Sequence, residues 1–106
     1  MFVRKLSVHL KPDTLGQFNS ILEKEIVPVL RKQQGFRDEI ALAIPGSTDV
    51  LSISFWDNQK NADTYGRNSY NDVLKMVSSV IDGTPKLETT EVLHSTFSDL
   101  RKPVAA

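Results

Sequence analysis

The sequence predicts an α+β fold of the ferredoxin-like kind, with elements in the order β-α-β-β-α-β. That order makes a four-stranded antiparallel sheet with two helices on one face. Three observations predict it. Four segments alternate apolar and polar residues with period two. Two longer segments keep apolar residues at helical spacing. Turn residues separate the segments, and no internal repeat or low-complexity stretch interrupts them.

The first strand lies within residues 2–11. Phe2, Leu6, Val8 and Leu10 point one way, and Val3, Lys5, Ser7, His9 and Lys11 the other, the pattern of a half-buried strand. Arg4 falls on the apolar side and breaks it. Pro12-Asp13 makes a turn. Thr14 and Gln17 stand in the capping-box relation, with Thr14 as N-cap. Leu15, Phe18, Leu22, Ile26, Val29 and Leu30 then form one helical stripe. Pro28 inside that stripe has no N–H to donate and crowds the carbonyl four residues back, so a kink is expected near Lys24. Gly35 is the natural stop, a left-handed residue after the last turn.

The second strand is Phe36 to Ile44, with Ile40, Leu42 and Ile44 on one face and Ala41 and Ala43 on the other. A hairpin loop follows at residues 45–49. The third strand is Val50 to Trp56; Leu51, Ile53 and Phe55 share one face, Val50, Ser52, Ser54 and Trp56 the other. Asp57 or Asn58 caps a second helical region, carried by Ala62, Tyr65, Ser69, Tyr70, Val73, Leu74, Val77, Val80 and Ile81 and divided at Gly66. Residues 82–85 end it. The fourth strand is Leu87 to Phe97, with a less clean alternation. Residues 1–98 make the domain, and residues 99–106 are a C-terminal tail expected to fray.

Two helices cover only one face of such a sheet. The other is expected to show Val3, Ala41, Ala43, Val50 and Trp56 among Ser and His, too apolar for water and too polar for an ordinary core. An apolar patch of that size marks an interface. The expected partner is a second copy of the chain, a homodimer through the sheet face, since two-fold dimers are the commonest closed assembly.

Composition removes several function classes. Thirteen Lys and Arg balance thirteen Asp and Glu, so a nucleic-acid or anionic-membrane partner, which needs phosphate neutralisation, is not expected. No cysteine is present, which excludes thiolate nucleophiles, disulfides and Cys metal sites. The longest uncharged apolar stretch, Ile40 to Gly46, is about seven residues, against the ~20 of a membrane span. A cytoplasmic location is the expectation. No G-x-G-x-x-G, Walker A, H-E-x-x-H or G-x-S-x-G is present.

Three pieces of the chain together resemble a known family. They are the helix end Glu25-Ile26-Val27-Pro28-Val29-Leu30-Arg31-Lys32-Gln33-Gln34-Gly35-Phe36, the strand end Ser54-Phe55-Trp56-Asp57, and the following Ala62-x-x-Tyr65 and Tyr70-x-x-Val73-Leu74. In this order and spacing they resemble the antibiotic biosynthesis monooxygenase domain of the dimeric α/β-barrel superfamily, over roughly residues 2–97. The resemblance implies two ferredoxin-like subunits packed sheet to sheet as a barrel. It also implies one of three activities: oxygenation of phenols or quinols without metal or flavin, haem degradation, or none.

Cofactor-free oxygenation needs an electron-rich anion that itself reduces dioxygen, held in an aromatic, water-poor pocket by a base or hydrogen-bond donors. The candidates for catalysis are Trp56, Tyr65 and His94, and for substrate binding His9, Arg67 and Tyr70. Each has a plainer reading. Trp56, the single tryptophan, suits a packing anchor. Tyr65 and Tyr70 suit a buried helix face. Arg67 suits a solvated charge, as do Asp38 and Glu39. His9 and His94 fall on the first and fourth strands, neighbours in the expected order 4-1-3-2, where two imidazoles can share a proton or a metal. No metal and no cofactor is expected. Relative to haem-degrading members, Tyr65 stands where a second tryptophan is expected, Lys75 near the axial histidine, and Arg4 or Lys5 near an asparagine; these departures disfavour haem. Two other readings remain open: a non-catalytic, ligand-binding or stress-related dimer, and an isomerase or lactonising enzyme using His9 or His94 as base.

Overall fold

The computed structural model describes residues 1–97; the tail expected to fray, residues 99–106, lies outside them. The elements run β1 (Phe2–His9), α1 (Leu15–Ile21), one π-turn (Leu22–Ile26), α2 (Val27–Arg31), β2 (Phe36–Ala43), β3 (Asp49–Trp56), α3 (Gln59–Asn68), α4 (Tyr70–Val77) and β4 (Lys86–Glu91). The four strands form one antiparallel sheet in the order β2-β3-β1-β4. This is the ferredoxin-like α+β arrangement that the sequence predicts.

The long first helix changes form just before Pro28, around the Lys24 position where the kink is expected. Its middle widens into the π-turn, in which the Val27 N–H reaches back five residues to the Leu22 carbonyl. Thr14 precedes the helix, but its hydroxyl donates to the Lys11 carbonyl (2.7 Å) and caps no helical N–H. The capping box with Gln17 therefore does not form. Gly35 does take a left-handed conformation, φ +80°, and a Cβ there would lie 2.1 Å from Asn61 Nδ2. Only glycine fits, on both counts.

The second helical region breaks at Ser69, not at Gly66. Asn58 caps α3, its side-chain oxygen accepting from the Asn61 N–H at 2.9 Å. After α4 the chain is pinned to the end of β1: Leu10 bridges Ile81, and the Asp82 N–H donates to the His9 carbonyl at 2.7 Å. β4 is shorter than its alternation suggests. Phe2 faces Glu91, and the Val92 N–H adds one bond to the Met1 carbonyl. Residues 92–97 lie outside the strand.

The two sheet faces are reversed on β2 and β3 relative to expectation. Arg4 faces Ser54, Leu6 faces Ser52, and Val8 faces Val50; these point at the helices, together with Phe2, Trp56 and Glu39. The buried core is Phe2, Val8, Val50 and Trp56 against Phe18, Leu22, Ile26, Leu30, Val73 and Val77. The helices bring large side chains of their own, so the sheet beneath can carry Ser and Ala there. The opposite face, which no helix covers, carries Ile40, Leu42, Leu51, Ile53 and Phe55 by the alternation of the strands past a bulge at residues 36–38, with Val3 buried on the same face. It is far more apolar than the mixed Ala and Ser surface expected.

Candidate functional site

Between the sheet and the helices lies a narrow cavity of about 60 Å³. Leu6, Val8, Leu22, Ile26, Val73 and Val77 are among its apolar lining. Four groups on that apolar surface titrate: Arg4, Glu39, Tyr65 and Tyr70.

Arg4 comes from the centre of β1 and is only 7% exposed. Its guanidinium lies over both tyrosine rings, 5.2 Å from the Tyr65 centroid and 4.8 Å from that of Tyr70, a cation–π arrangement. Gly66 makes room for it, since a Cβ there would sit 2.8 Å from Arg4 Nη1. Glycine at residue 66 thus lets the guanidinium approach the helix closely and does not end it. Arg4 Nη2 is buried without a hydrogen-bond partner. Burial pulls its pKa below the usual arginine value, while Tyr65, Tyr70 and Asp63 hold it up. A buried guanidinium nitrogen with no hydrogen-bond partner is costly unless something anionic meets it.

Glu39 comes from β2. Its Oε1 is likewise buried without a partner, and burial pushes its carboxyl above the ordinary range. Arg4 and Glu39 share a cross-strand row, each facing Ser54 of β3 from opposite sides. Two strand spacings put their backbones about 10 Å apart, and each keeps an unpartnered polar atom instead of pairing with the other.

The aromatic residues form a chain leading to this cavity. Trp56 is 0% exposed. It stacks on Tyr65 (centroids 5.0 Å, 27°), meets Phe36 edge-on, and donates its Nε1–H to Ser54 Oγ at 2.8 Å. Tyr65 meets Tyr70 at 6.2 Å and 61°. Trp56 does not line the cavity; it sits behind Tyr65 and Ser54, which do. Burial drives the Tyr65 hydroxyl pKa up to about 12 against the pull of Arg4, and raises Tyr70 too. Both are neutral hydroxyls near pH 7, able to donate to a ligand oxygen.

The structure thus brings together Tyr65 and Tyr70 at the cavity, with Trp56 behind them. The other candidates stand elsewhere. Arg67 is exposed on α3 and its Nη2 reaches Thr64 Oγ1 at 3.4 Å. His9, at the far end of β1, is exposed, with its Nδ1 2.6 Å from Asp49 Oδ1 and 3.2 Å from Thr48 Oγ1. The Asp49 hydrogen bond raises the His9 pKa and lowers that of Asp49. His94 is exposed beyond the end of β4. The strands are neighbours, as their expected order requires, but the register separates the imidazoles. Ser7 faces Lys86 and Phe2 faces Glu91, so His94 lies past the Met1 end of β1 while His9 lies at the other. They cannot share a proton or a metal within one chain. Among the described residues no group of three or more His, Asp or Glu is placed to hold a metal ion, and no helix is long and apolar enough to cross a membrane. Neither Arg4 nor Glu39 was a site candidate from the sequence, and Glu39, read there as a solvated charge, instead lines the cavity with Oε1 buried. The only signal for Arg4 was a charge on the apolar side of an alternating strand; Glu39 gave none.

No family model matches the sequence, and no curated protein does. Solved structures do match its shape. The monooxygenase from the gene ActVA-Orf6 of Streptomyces coelicolor, in complex with the ligand nanaomycin D, superposes with a TM-score of 0.75 at 16% identity, over 91% of this chain and 90% of that one. A protein from Bordetella bronchiseptica, provisionally named an antibiotic biosynthesis monooxygenase, gives 0.72 at 12% identity, over 88% and 98%. The chain has the antibiotic biosynthesis monooxygenase fold. A Nitrosomonas europaea protein of unknown function, NE2512, matches as well, at 0.74 and 13% identity over 91% and 92%. The monooxygenase fold therefore also serves proteins without an assigned activity, and fold alone fixes none here.

Proposed function

We propose that this chain is a homodimeric, monooxygenase-like barrel protein of the antibiotic biosynthesis monooxygenase family. Its cavity between helices and sheet would take a small aromatic or quinone-type molecule as an anion. The observation that carries this reading is Arg4: a buried guanidinium, one nitrogen unpartnered, framed by two tyrosine rings inside an apolar cavity. A phenolate or enolate oxygen satisfies that nitrogen, and a ring system suits the walls.

Such an anion is the reductant that cofactor-free oxygenation requires. An anthrone, for example, gains one oxygen atom of dioxygen at its methylene carbon. The second oxygen leaves as water with the two hydrogens that carbon loses, and the product is a quinone. The protein's part is to stabilise the anion on Arg4, donate from Tyr65 and Tyr70, and exclude water. The barrel supplies the second half of the assembly. The uncovered row of Ile40, Leu42, Leu51, Ile53 and Phe55 matches an apolar surface that a twin covers.

The second reading is a binding protein without chemistry. It is favoured by the cavity's size, about 60 Å³, room for roughly two waters where ligand pockets usually run ~300–1,000 Å³. A ring enters only if the cavity walls move apart. Oxygen uptake with anthrones and quinols separates the readings, with Trp56 fluorescence following binding. Wild type should consume oxygen, and Arg4→Met should bind the anions at least tenfold more weakly while folding normally. Binding without oxygen uptake supports the second reading; equal binding by Arg4→Met rejects both.

A further inference from the structure

We propose that Glu39 is the proton acceptor of this cavity, which takes its ligand as a neutral hydroxyl compound and ionises it in place against Arg4. The inference rests on the reading of the cavity as an anion site and adds how the anion arises.

A buried carboxylate oxygen and a buried guanidinium nitrogen, both without partners, face the same apolar space from β2 and β1. They lie in one row through Ser54, whose hydroxyl oxygen is occupied by the Trp56 indole N–H. Had the fold used these two charges for stability, they would have met. The described contacts instead leave a gap between them, and the missing partner has opposite demands at its two ends. It must offer a proton to Glu39 and an anionic oxygen to Arg4. A ring hydroxyl does both in sequence. The ligand O–H bond breaks, its electron pair stays on the ligand oxygen, and a new O–H bond forms on Glu39 Oε1. The complex's net charge is unchanged by the step. Charge moves from Glu39 onto the ligand, which Arg4 holds.

The remaining titratable groups facing the cavity are Tyr65 and Tyr70. Both are held neutral by burial, so neither competes as base near pH 7. From the π-turn, α2 and β4 the facing groups are apolar: Leu22, Ile26, Leu30 and Leu87. The raised carboxyl of Glu39 makes it a better base than an ordinary surface glutamate.

The test uses 4-nitrophenol, which turns yellow on ionising and is inert to oxygen. It is added below its solution pKa to the full chain and to Glu39→Gln, Glu39→Asp and Arg4→Met. Wild type should bind it as the yellow phenolate without releasing a proton to the buffer. Glu39→Gln should bind it as the colourless phenol, with at least a tenfold smaller phenolate signal, or ionise it only with release of one proton. Glu39→Asp should fall between. Equal phenolate yield and equal proton count in Glu39→Gln would overturn Glu39 as acceptor while leaving the anion site standing. No binding to wild type, or unchanged binding by Arg4→Met, would overturn the cavity reading and this inference with it.

Discussion

Gly66→Ala separates the site from the fold. The new Cβ would lie 2.8 Å from Arg4 Nη1, where an ordinary contact is ~3.5 Å. The guanidinium, at the end of a flexible side chain, must retreat by about 0.7 Å. It has little to lose by doing so in the free protein, since Nη2 has no bond to break. Alanine meanwhile improves an interior helix position of α3 by ~0.5–1 kcal/mol. Folding should be unchanged or strengthened by up to about 1 kcal/mol, a rise in Tm of up to about 5 °C for a domain of this size. Anion binding should weaken. A charge-assisted hydrogen bond contributes ~1.5–3 kcal/mol, and moving its donor by most of an ångström removes about 1 kcal/mol, roughly a fivefold rise in Kd. Circular-dichroism melts measure the first quantity, and Trp56 fluorescence titrated with 4-nitrophenolate the second. Affinity within twofold of wild type would refute the placement of Arg4 in the binding site. A loss of stability would show instead that Arg4 is locked in place by the fold.

Three further outcomes follow from the same geometry. Burial raises the Glu39 pKa, so its ionisation opposes folding: the stability it permits is complete below the ordinary carboxylate range and is lost as pH rises through the raised value. Glu39→Gln should therefore melt higher than wild type at pH 8 and equally at pH 4 in parallel thermal scans; a lower melt at pH 8 would contradict this. Trp56→Phe loses the 2.8 Å bond to Ser54 Oγ and part of the stack on Tyr65, and should cost about 2–3 kcal/mol in urea unfolding. A variant within 0.5 kcal/mol of wild type, on the ~0.5 kcal/mol scale of neutral surface changes, would remove the anchoring role. Ile53→Glu places a charge in the middle of the uncovered apolar face and should convert a dimer to monomer by sedimentation at micromolar concentration. Unchanged sedimentation would move the interface elsewhere.

Element types and their order were legible because periodicity is a direct image of burial. Leu15, Phe18, Leu22 and Ile26 mark a helix, and Leu51, Ile53 and Phe55 a strand, wherever they pack. Period two divides a strand into two faces but does not say which is inside. Ile53 and Phe55 look like core and lie on the open face; Trp56 and Val50 looked open and are core. The tie is broken only by the helices, whose Phe18, Leu22 and Val73 already fill the covered side. Tyr65 and Tyr70 were visible as aromatic residues on one helical face. Arg4 was visible only as an irregularity, since its meaning depends on a cavity lined from eight other elements. Glu39 was invisible, because an alternating strand with Asp38 beside it reads as wet on either face. The register that parts His9 from His94 is set by where β1 meets β4, a tertiary fact with no local signature.

The most direct test is a crystal structure of the chain soaked with a hydroxylated aromatic ligand. The ring should lie between the sheet and α4, with its ionised oxygen within hydrogen-bond reach of Arg4 Nη2. A ligand bound on the outer surface, with Arg4 still unpartnered in a closed cavity, would contradict it.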